Sequence, residues 1–306
     1  MKLNHVLGNT WVVEGSGLMG LYRLDESRCI LLDSGEVFER EELARLLDSH
    51  GLTPIGVLCS HVHVDHSINN GWLRERYGTL AAVPAGEAQI TRTPVAMKAY
   101  FYSAPPNALA KEFAGMASPV DALIPWDART PWMDCVFSFC GVDFRIIHTP
   151  GHSMDHVAIV TPDNVCYVGD AVISNEVLEA KLPYHIYPDM AIRSAEKLRD
   201  TRCAAYIVAH RGVHTDINAV VEASNSHIRR RAEEILSLIT RPMTFSEIWA
   251  AVNEAFSLLS SRPIRAALME RNLRSFVDYL VDAGRLKWYA QRGMLYYAPV
   301  EDTHEN

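Results

Sequence analysis

Short apolar runs closed by turn residues recur along the first 210 residues. TWVVEG (10–15) and LMGLYRLD (18–25) predict paired strands across a turn at Ser16-Gly17, and CILLDSG (29–35) predicts a buried strand ending at Asp33. VFEREELARLLDSHG (37–51) carries apolar residues at helical spacing and stops at a glycine, with His50 as a surface residue at the helix end. PIGVLCS (54–60) predicts a further buried strand, and 68–77 a short helix. Downstream, CVFSFCGVDFRIIHTPGH (135–152) alternates as a hairpin around a Gly turn. HVAIVTP (156–162) and VCYVGD (165–170) pair across Asp163-Asn164. A helix over 190–200 leads to a strand in AAYIVAHRG (204–212). Strands alternating with helices predict an α/β fold.

Two regions break this rhythm. From 86 to 131 the chain is partly helical, interrupted by Pro105-Pro106, and rich in aromatics and methionine. It reads as an insert serving as lid or pocket wall, or equally as an extra helical layer or dimer contact. Tyr100, Phe101 and Tyr102 cannot all face one core, so at least one is exposed or pocket-lining. After 217 the composition turns helical. There is an amphipathic run at 218–239, and a run at 244–256 whose Thr244 and Glu247 have capping-box spacing. One or two helices follow over 263–284, then a hairpin at 285–299 turning at Arg292-Gly293. The domains predicted are thus 1–217, a mostly helical, winged-helix-like 218–300, and an acidic tail, 301–306.

Composition changes the picture modestly. A 48% hydrophobic content is enough for a real core. There is no apolar run of membrane-spanning length and no signal-peptide pattern, so a soluble, cytoplasmic protein without membrane partners is expected. The six cysteines form no CxxC pair and read as buried free thiols. The net charge of −8 is uneven: residues 1–217 balance to −8, 218–300 to +3 and the tail to −3. An acidic larger part argues against general nucleic-acid binding and the mildly basic C-terminal part leaves it open without favouring it. Homo-oligomerisation is left open.

The chemistry concentrates in SHVHVDHSINNGW (60–72), which places His61, His63, Asp65 and His66 directly after a buried strand. On an extended segment His61, His63 and Asp65 share a face, with His66 turning in as the chain bends. Imidazole nitrogen and carboxylate oxygen are ordinary ligands of Zn²⁺ and similar cations. The bland reading, a His-rich surface loop, fits poorly with four candidate ligands in six residues.

The HxHxDH pattern resembles the signature of the metallo-β-lactamase-fold hydrolases. The further residues that family needs follow in order: His152 in HTPGHSMDH (148–156), Asp170 ending VCYVGDAV (165–172), and His210 in AAYIVAHRG (204–212), at gaps of 86, 18 and 40 residues. The resemblance spans about residues 5–215 and implies a four-layer αββα fold. It also implies two Zn²⁺ ions, alternatively Fe or Mn. His61, His63 and His152 match the first site; Asp65, His66 and His210 match the second; Asp170 bridges. A metal-bridging hydroxide would be the nucleophile, oriented by Asp65, and Asp33 would steady the metal-binding loop or, on the plain reading, merely end a strand. His156 and His214 are read as structural or peripheral. The loop 179–190 follows Asp170, so Lys181, Tyr184, His185 and Tyr187 are candidate substrate contacts.

Two departures touch the second site: Ser67-Ile68-Asn69-Asn70-Gly71 replaces the usual Gly-Gly, and Ala209 and Arg211 flank His210. The resemblance therefore admits three activities. A small ester, thioester or lactone hydrolase, glyoxalase-II-like, is favoured. A phosphodiesterase or endoribonuclease, or a mononuclear-iron persulfide-dioxygenase-like enzyme, is the alternative. A non-enzymatic relative is disfavoured because every ligand is retained.

Overall fold

The computed structural model describes residues 1–101, 104–113, 115–126, 134–172, 181–210 and 212–300. Seven strands lie side by side in chain order: β1 (Lys2–Leu7), β2 (Thr10–Glu14), β3 (Leu18–Arg23), β4 (Arg28–Leu32), β5 (Thr53–Leu58), β6 (Leu80–Pro84) and β7 (Ala122–Ile124). The first four pair antiparallel through tight turns. From β4 onward the pairing is parallel, which requires crossovers. These are α1 (Arg40–Ser49), entered by a 3-10 turn (Val37–Glu39), and then α2 (Val64–Ser67) with α3 (Asn70–Tyr77).

The second sheet runs β13-β12-β11-β10-β9-β8, built from β8 (Cys135–Phe139), β9 (Val142–His148), β10 (Val157–Val160), β11 (Val165–Gly169), β12 (Ala205–Val208) and β13 (Gly212–His214). Only β11 and β12 are parallel among these pairs, and α6 (Pro188–Arg199) makes the crossover. The two sheets face each other across a core that includes Ile30, Leu32 and Leu58 from the first and Phe144, Ile159 and Tyr167 from the second. Leu43, Leu47 and Leu73 of α1 and α3 cover the outer face of the first sheet. Ala195 and Leu198 of α6 cover that of the second, with Val220 and Val221 of α7 (Asn218–Ser237). The result is the expected α/β fold in four layers, αββα.

The 86–131 segment supplies α4 (Pro94–Phe101) and α5 (Pro106–Glu112), but Ala122–Ile124 is an edge strand of the first sheet rather than part of a helical insert. Residues 127–131, Tyr102 and the tail 301–306 lie outside the described residues.

Beyond β13 come α7, a short strand β14 (Met243–Thr244), α8 (Phe245–Ala255), α9 (Pro263–Asp282) and the hairpin β15 (Leu286–Gln291) with β16 (Met294–Pro299). The capping box forms as predicted: the Glu247 N–H donates to Thr244 Oγ1 and the Thr244 N–H to Glu247 Oε2. The 263–284 run is one continuous helix. Helix α7 belongs to two cores. Its first turns pack on the second sheet, while Ile228, Ala232 and Ile235 pack with Leu273, Phe276 and Leu280 of α9. Ala191 and Ile192 of α6 join that second core, so the C-terminal helices sit directly on the element that follows the 181–187 loop.

Candidate metal centre

All seven predicted ligands come together at one end of the two sheets. His61 and His63 stand on the extended segment leaving β5, as expected. Asp65 and His66 do not share that face, because Val64 already begins a helical turn, and their side chains serve the other half of the site. His152 follows a turn at Gly151, whose φ of 133° and approach to Ala191 leave no room for a side chain; a Cβ there would lie 2.2 Å from the Ala191 nitrogen. Asp170 directly follows β11 and His210 follows β12.

The first cluster is His61, His63 and His152. His63 Nδ1 lies 2.9 Å from both His61 Nε2 and His152 Nε2. The outer ring atoms set the tautomers. Ser60 Oγ gives its proton to Asp33 Oδ2, so it accepts from His61 Nδ1 at 3.0 Å. His152 Nδ1 donates to the Tyr184 carbonyl at 2.9 Å, and His63 Nε2 sits 3.3 Å from the Tyr100 hydroxyl. Both Nε2 atoms therefore turn lone pairs toward His63 Nδ1. Burial, reinforced by the neighbouring imidazoles, holds His61 and His63 well below the usual histidine range, and His152 is lowered by the same burial. Neutral imidazole lone pairs converging on one point fit a cation, which removes their mutual repulsion.

The second cluster is Asp65, His66, Asp170 and His210. His66 Nε2 is 3.4 Å from Asp65 Oδ2 and 3.5 Å from Asp170 Oδ2; His210 Nε2 is 3.5 Å from Asp65 Oδ2 and 3.4 Å from Asp170 Oδ1. Asp170 Oδ2 also lies 3.3 Å from His152 Nε2, so this one carboxylate reaches both clusters. Burial opposes a charge on His66, but Asp65, Asp170 and Asp33 outweigh it and raise its pKa well above the usual value. Asp170 likewise raises His210, to about 10. Burial works against the charged form of Asp170, yet the surrounding imidazoles hold it well below the carboxylate range. The buried atoms His66 Nε2 and Asp170 Oδ1 find no hydrogen-bond partner among the described residues. Unsatisfied buried atoms aimed at a shared point are what a cation would satisfy.

Asp33 anchors the assembly. It accepts from the Ser60 N–H and hydroxyl (2.7 Å each), His66 Nδ1 (2.7 Å) and the Tyr167 hydroxyl (2.8 Å). Glu87 was not read from the sequence. It is fully buried and accepts from the Val62 N–H, between His61 and His63, and from Ser153 and the Asp155 N–H, just past His152. Burial raises Glu87 to about 7 against those hydrogen bonds. One carboxyl thus ties together the two loops of the first cluster.

Of the predicted substrate contacts, Tyr184 stands at the site, its ring 5.4 Å from His63 and 5.8 Å from His152. His185 is packed completely inside, 5.9 Å from the His152 ring. Lys181 and Tyr187 are placed elsewhere. Lys181 Nζ donates to the Ser257 carbonyl, and Tyr187 lines a separate groove of about 480 Å³ with Ser275, Asp278 and Trp288, because α6 starts at Pro188 and carries the chain away. Two further residues complete the wall, the first from the aromatic run expected to hold a pocket-lining residue and the second missed by sequence reading. Tyr100 comes from α4. Arg271 comes from α9, its Nη1 2.8 Å from the Tyr184 hydroxyl and its guanidinium over both tyrosine rings. A cavity of about 190 Å³ opens beside the second cluster, bordered by Gly17, Glu36, Phe38 and His210.

His156 holds a surprise. Its Nδ1 meets Thr149 Oγ1 at 2.8 Å and its Nε2 accepts the Asp170 N–H at 3.1 Å. It stands outside both clusters but holds the backbone of Asp170, the carboxylate that reaches both. His156→Ala is therefore expected to weaken metal binding about 10–100-fold, as loss of a residue supporting a ligand does. His214→Ala, on the edge strand β13, is expected to leave affinity unchanged; competitive chelator titration separates the two.

Comparison with known proteins agrees with this geometry. The sequence profile of the metallo-beta-lactamase superfamily matches residues 8–210. A hydroxyacylglutathione hydrolase from Xanthomonas oryzae pv. oryzae is 24% identical over 277 residues, 86% of this chain and 90% of that protein. An atrochrysone carboxyl ACP thioesterase from Claviceps purpurea is 24% identical over 171 residues, covering 51% of this chain. The chain spans only about half (53%) of that thioesterase. A metallo-beta-lactamase family protein from Thermus thermophilus superposes with a TM-score of 0.69 at 21% identity, over 93% of this chain and 94% of the other. The profile, the four layers and the candidate ligand set coincide: the chain belongs to the metallo-beta-lactamase superfamily.

Proposed function

We propose that the chain is a dinuclear-metal hydrolase of a small ester, thioester or lactone, with zinc as the expected metal and iron or manganese as alternatives. The observation that carries this reading is Asp170, whose carboxylate reaches one three-histidine cluster and one Asp/His cluster. His61, His63 and His152 would hold one cation, Asp65, His66 and His210 the other, and Asp170 both. When bound, the pair supplies a water acidified to a pKa of about 7 and a Lewis acid for the substrate oxygen. Uptake at the second cluster must displace the protons that His66 and His210 carry, so binding releases protons.

The chain's own residues supply positioning. Asp65, with about a third of its side chain exposed, is placed to orient the attacking water. Tyr100 and Tyr184 wall the first cluster with aromatic surface that excludes water and suits a partly apolar acyl group. Burial pushes the Tyr184 hydroxyl up to about 12, so it remains a neutral donor at neutral pH. The thioesterase and hydroxyacylglutathione hydrolase among the relatives favour a thioester within this class. The balance of −8 over residues 1–217 disfavours a nucleic-acid track. We read the helix–strand–helix–helix–hairpin tail as a winged-helix-like unit that frames the site.

The test is elemental analysis after reconstitution, joined to a panel of thioesters, lactones, aryl esters, bis-p-nitrophenyl phosphate and single-stranded RNA. Two metals per chain with thioester turnover are expected. Salt-sensitive RNA cleavage without turnover of any carboxylic ester would replace the substrate class. Saturation at one iron with oxygen uptake on a persulfide would replace the mechanism.

A further inference from the structure

The segment 181–187 holds a metal ligand, and the C-terminal domain holds that segment. His152 Nδ1 donates to the carbonyl of Tyr184, while the Ile186 N–H bonds back to the Gly151 carbonyl at 2.8 Å. The orientation of His152 therefore depends on where residues 182–186 lie. Their positions are set from α9. Asn272 Oδ1 accepts the His185 N–H at 3.0 Å, and Asn272 Nδ2 donates to the Pro183 carbonyl at 2.7 Å and toward that of Leu182 at 3.4 Å. Its neighbour Arg271 donates to the Tyr184 hydroxyl.

Asn272 is 2% exposed, on the same helix as the fully buried Leu273 and Phe276. A buried amide costs free energy unless paired, and an aliphatic residue would serve a helix core better. Here each recorded contact of the amide goes to the backbone of one short segment. That segment is the one whose carbonyl fixes the tautomer and ring orientation of His152. Groups that accept the outer N–H of a metal-binding histidine govern its affinity.

We propose that Asn272 is a positioning residue for the first metal site, so that the C-terminal domain is part of the metal centre's support rather than an attached module. The proposal rests on the metal-centre reading above. Asn272 sets the Tyr184 carbonyl, the carbonyl takes the His152 Nδ1 proton, and His152 Nε2 is left facing His63 Nδ1 at 2.9 Å.

The experiment compares wild type, Asn272→Leu, Asn272→Asp and Asn225→Leu as full-length proteins. Asn225 is the control: a fully buried amide in the same helical layer whose Nδ2 donates to Glu196 and the Ile192 carbonyl, with no tie to the 181–187 segment. Zn²⁺ affinity is read by chelator competition, ligand geometry by Co²⁺ visible absorption, and stability by urea unfolding of the metal-free proteins. Both Asn272 variants are expected to bind one of the two metals about 10–100-fold more weakly and to show an altered spectrum for that ion. Asn225→Leu is expected to lose stability while keeping both affinities. Asn272→Asp keeps the acceptor for the His185 N–H, so it remains informative where Asn272→Leu fails to fold. Wild-type affinity and an unchanged Co²⁺ spectrum in the Asp variant would overturn the proposal, as would an equal loss of affinity in Asn225→Leu. A wild type that binds no metal would overturn the metal-centre reading itself, and that result is distinguishable from failure of the Asn272 proposal alone.

Discussion

Asp170→Ala is expected to keep the fold, lose metal and bring hydrolysis to background. The carboxylate stands just past β11 with Oδ2 3.3 Å from His152 Nε2 and 3.5 Å from His66 Nε2, and Oδ1 3.4 Å from His210 Nε2. Its two oxygens thus lie within 3.5 Å of the Nε2 atoms of histidines from both clusters. Its loss also removes a main source of the raised pKa of His210 and one of those acting on His66. A water whose pKa returns from about 7 toward 15.7 is a poor nucleophile at neutral pH, so a fall of more than about 10³-fold is expected. His152→Ala should act through the first cluster to the same end. Elemental analysis beside steady-state rates checks both. Two metals and full turnover in Asp170→Ala would mean that the ligand assignment is wrong.

The candidate ligands were legible because the chain brings them in just past strand ends, each after an apolar run, at positions 61–66, 152, 170 and 210. Strand ends in an α/β sheet meet at one rim, so residues far apart in sequence become neighbours there. Asp33 was legible for the same reason. What sequence could not show is support that arrives from elsewhere. Glu87 sits in a turn within the region read as an insert, with nothing to mark it as the link between the Val62 and Asp155 backbones. Asn272 and Arg271 lie on a helix whose periodicity speaks only of its own core. Lys181 and Tyr187 were named by nearness in sequence to Asp170, and α6 turns Tyr187 out of reach. β7 was missed because three residues carry too little alternation to register as a strand.

Asp33→Ala is expected to be the most destabilising single substitution near the site. Asp33 is 1% exposed and sits in the left-handed region at φ 66°, where aspartate and asparagine are tolerated better than most residues. Its four partners are all donors: the Ser60 N–H, the Ser60 hydroxyl, His66 Nδ1–H and the Tyr167 hydroxyl. Truncation leaves the two Ser60 donors and His66 Nδ1–H buried without their acceptor, at about 1–3 kcal/mol each, while the Tyr167 hydroxyl keeps the Leu18 carbonyl at 3.2 Å. Because the four share one acceptor the costs do not add, and a net loss on the order of 3–5 kcal/mol is expected. Asp33→Asn is the sharper variant. It keeps the volume and the backbone preference, but its amide nitrogen must face a donor wherever the carboxylate used its second oxygen. Urea unfolding of the metal-free proteins isolates this from stabilisation by bound metal, and chelator titration then reads the second site, where His66 has lost the acceptor that orients it. If Asp33→Asn unfolds within about 1 kcal/mol of wild type and binds both metals as tightly, the four hydrogen bonds do not depend on an acceptor-only group, and Asp33 only ends a strand.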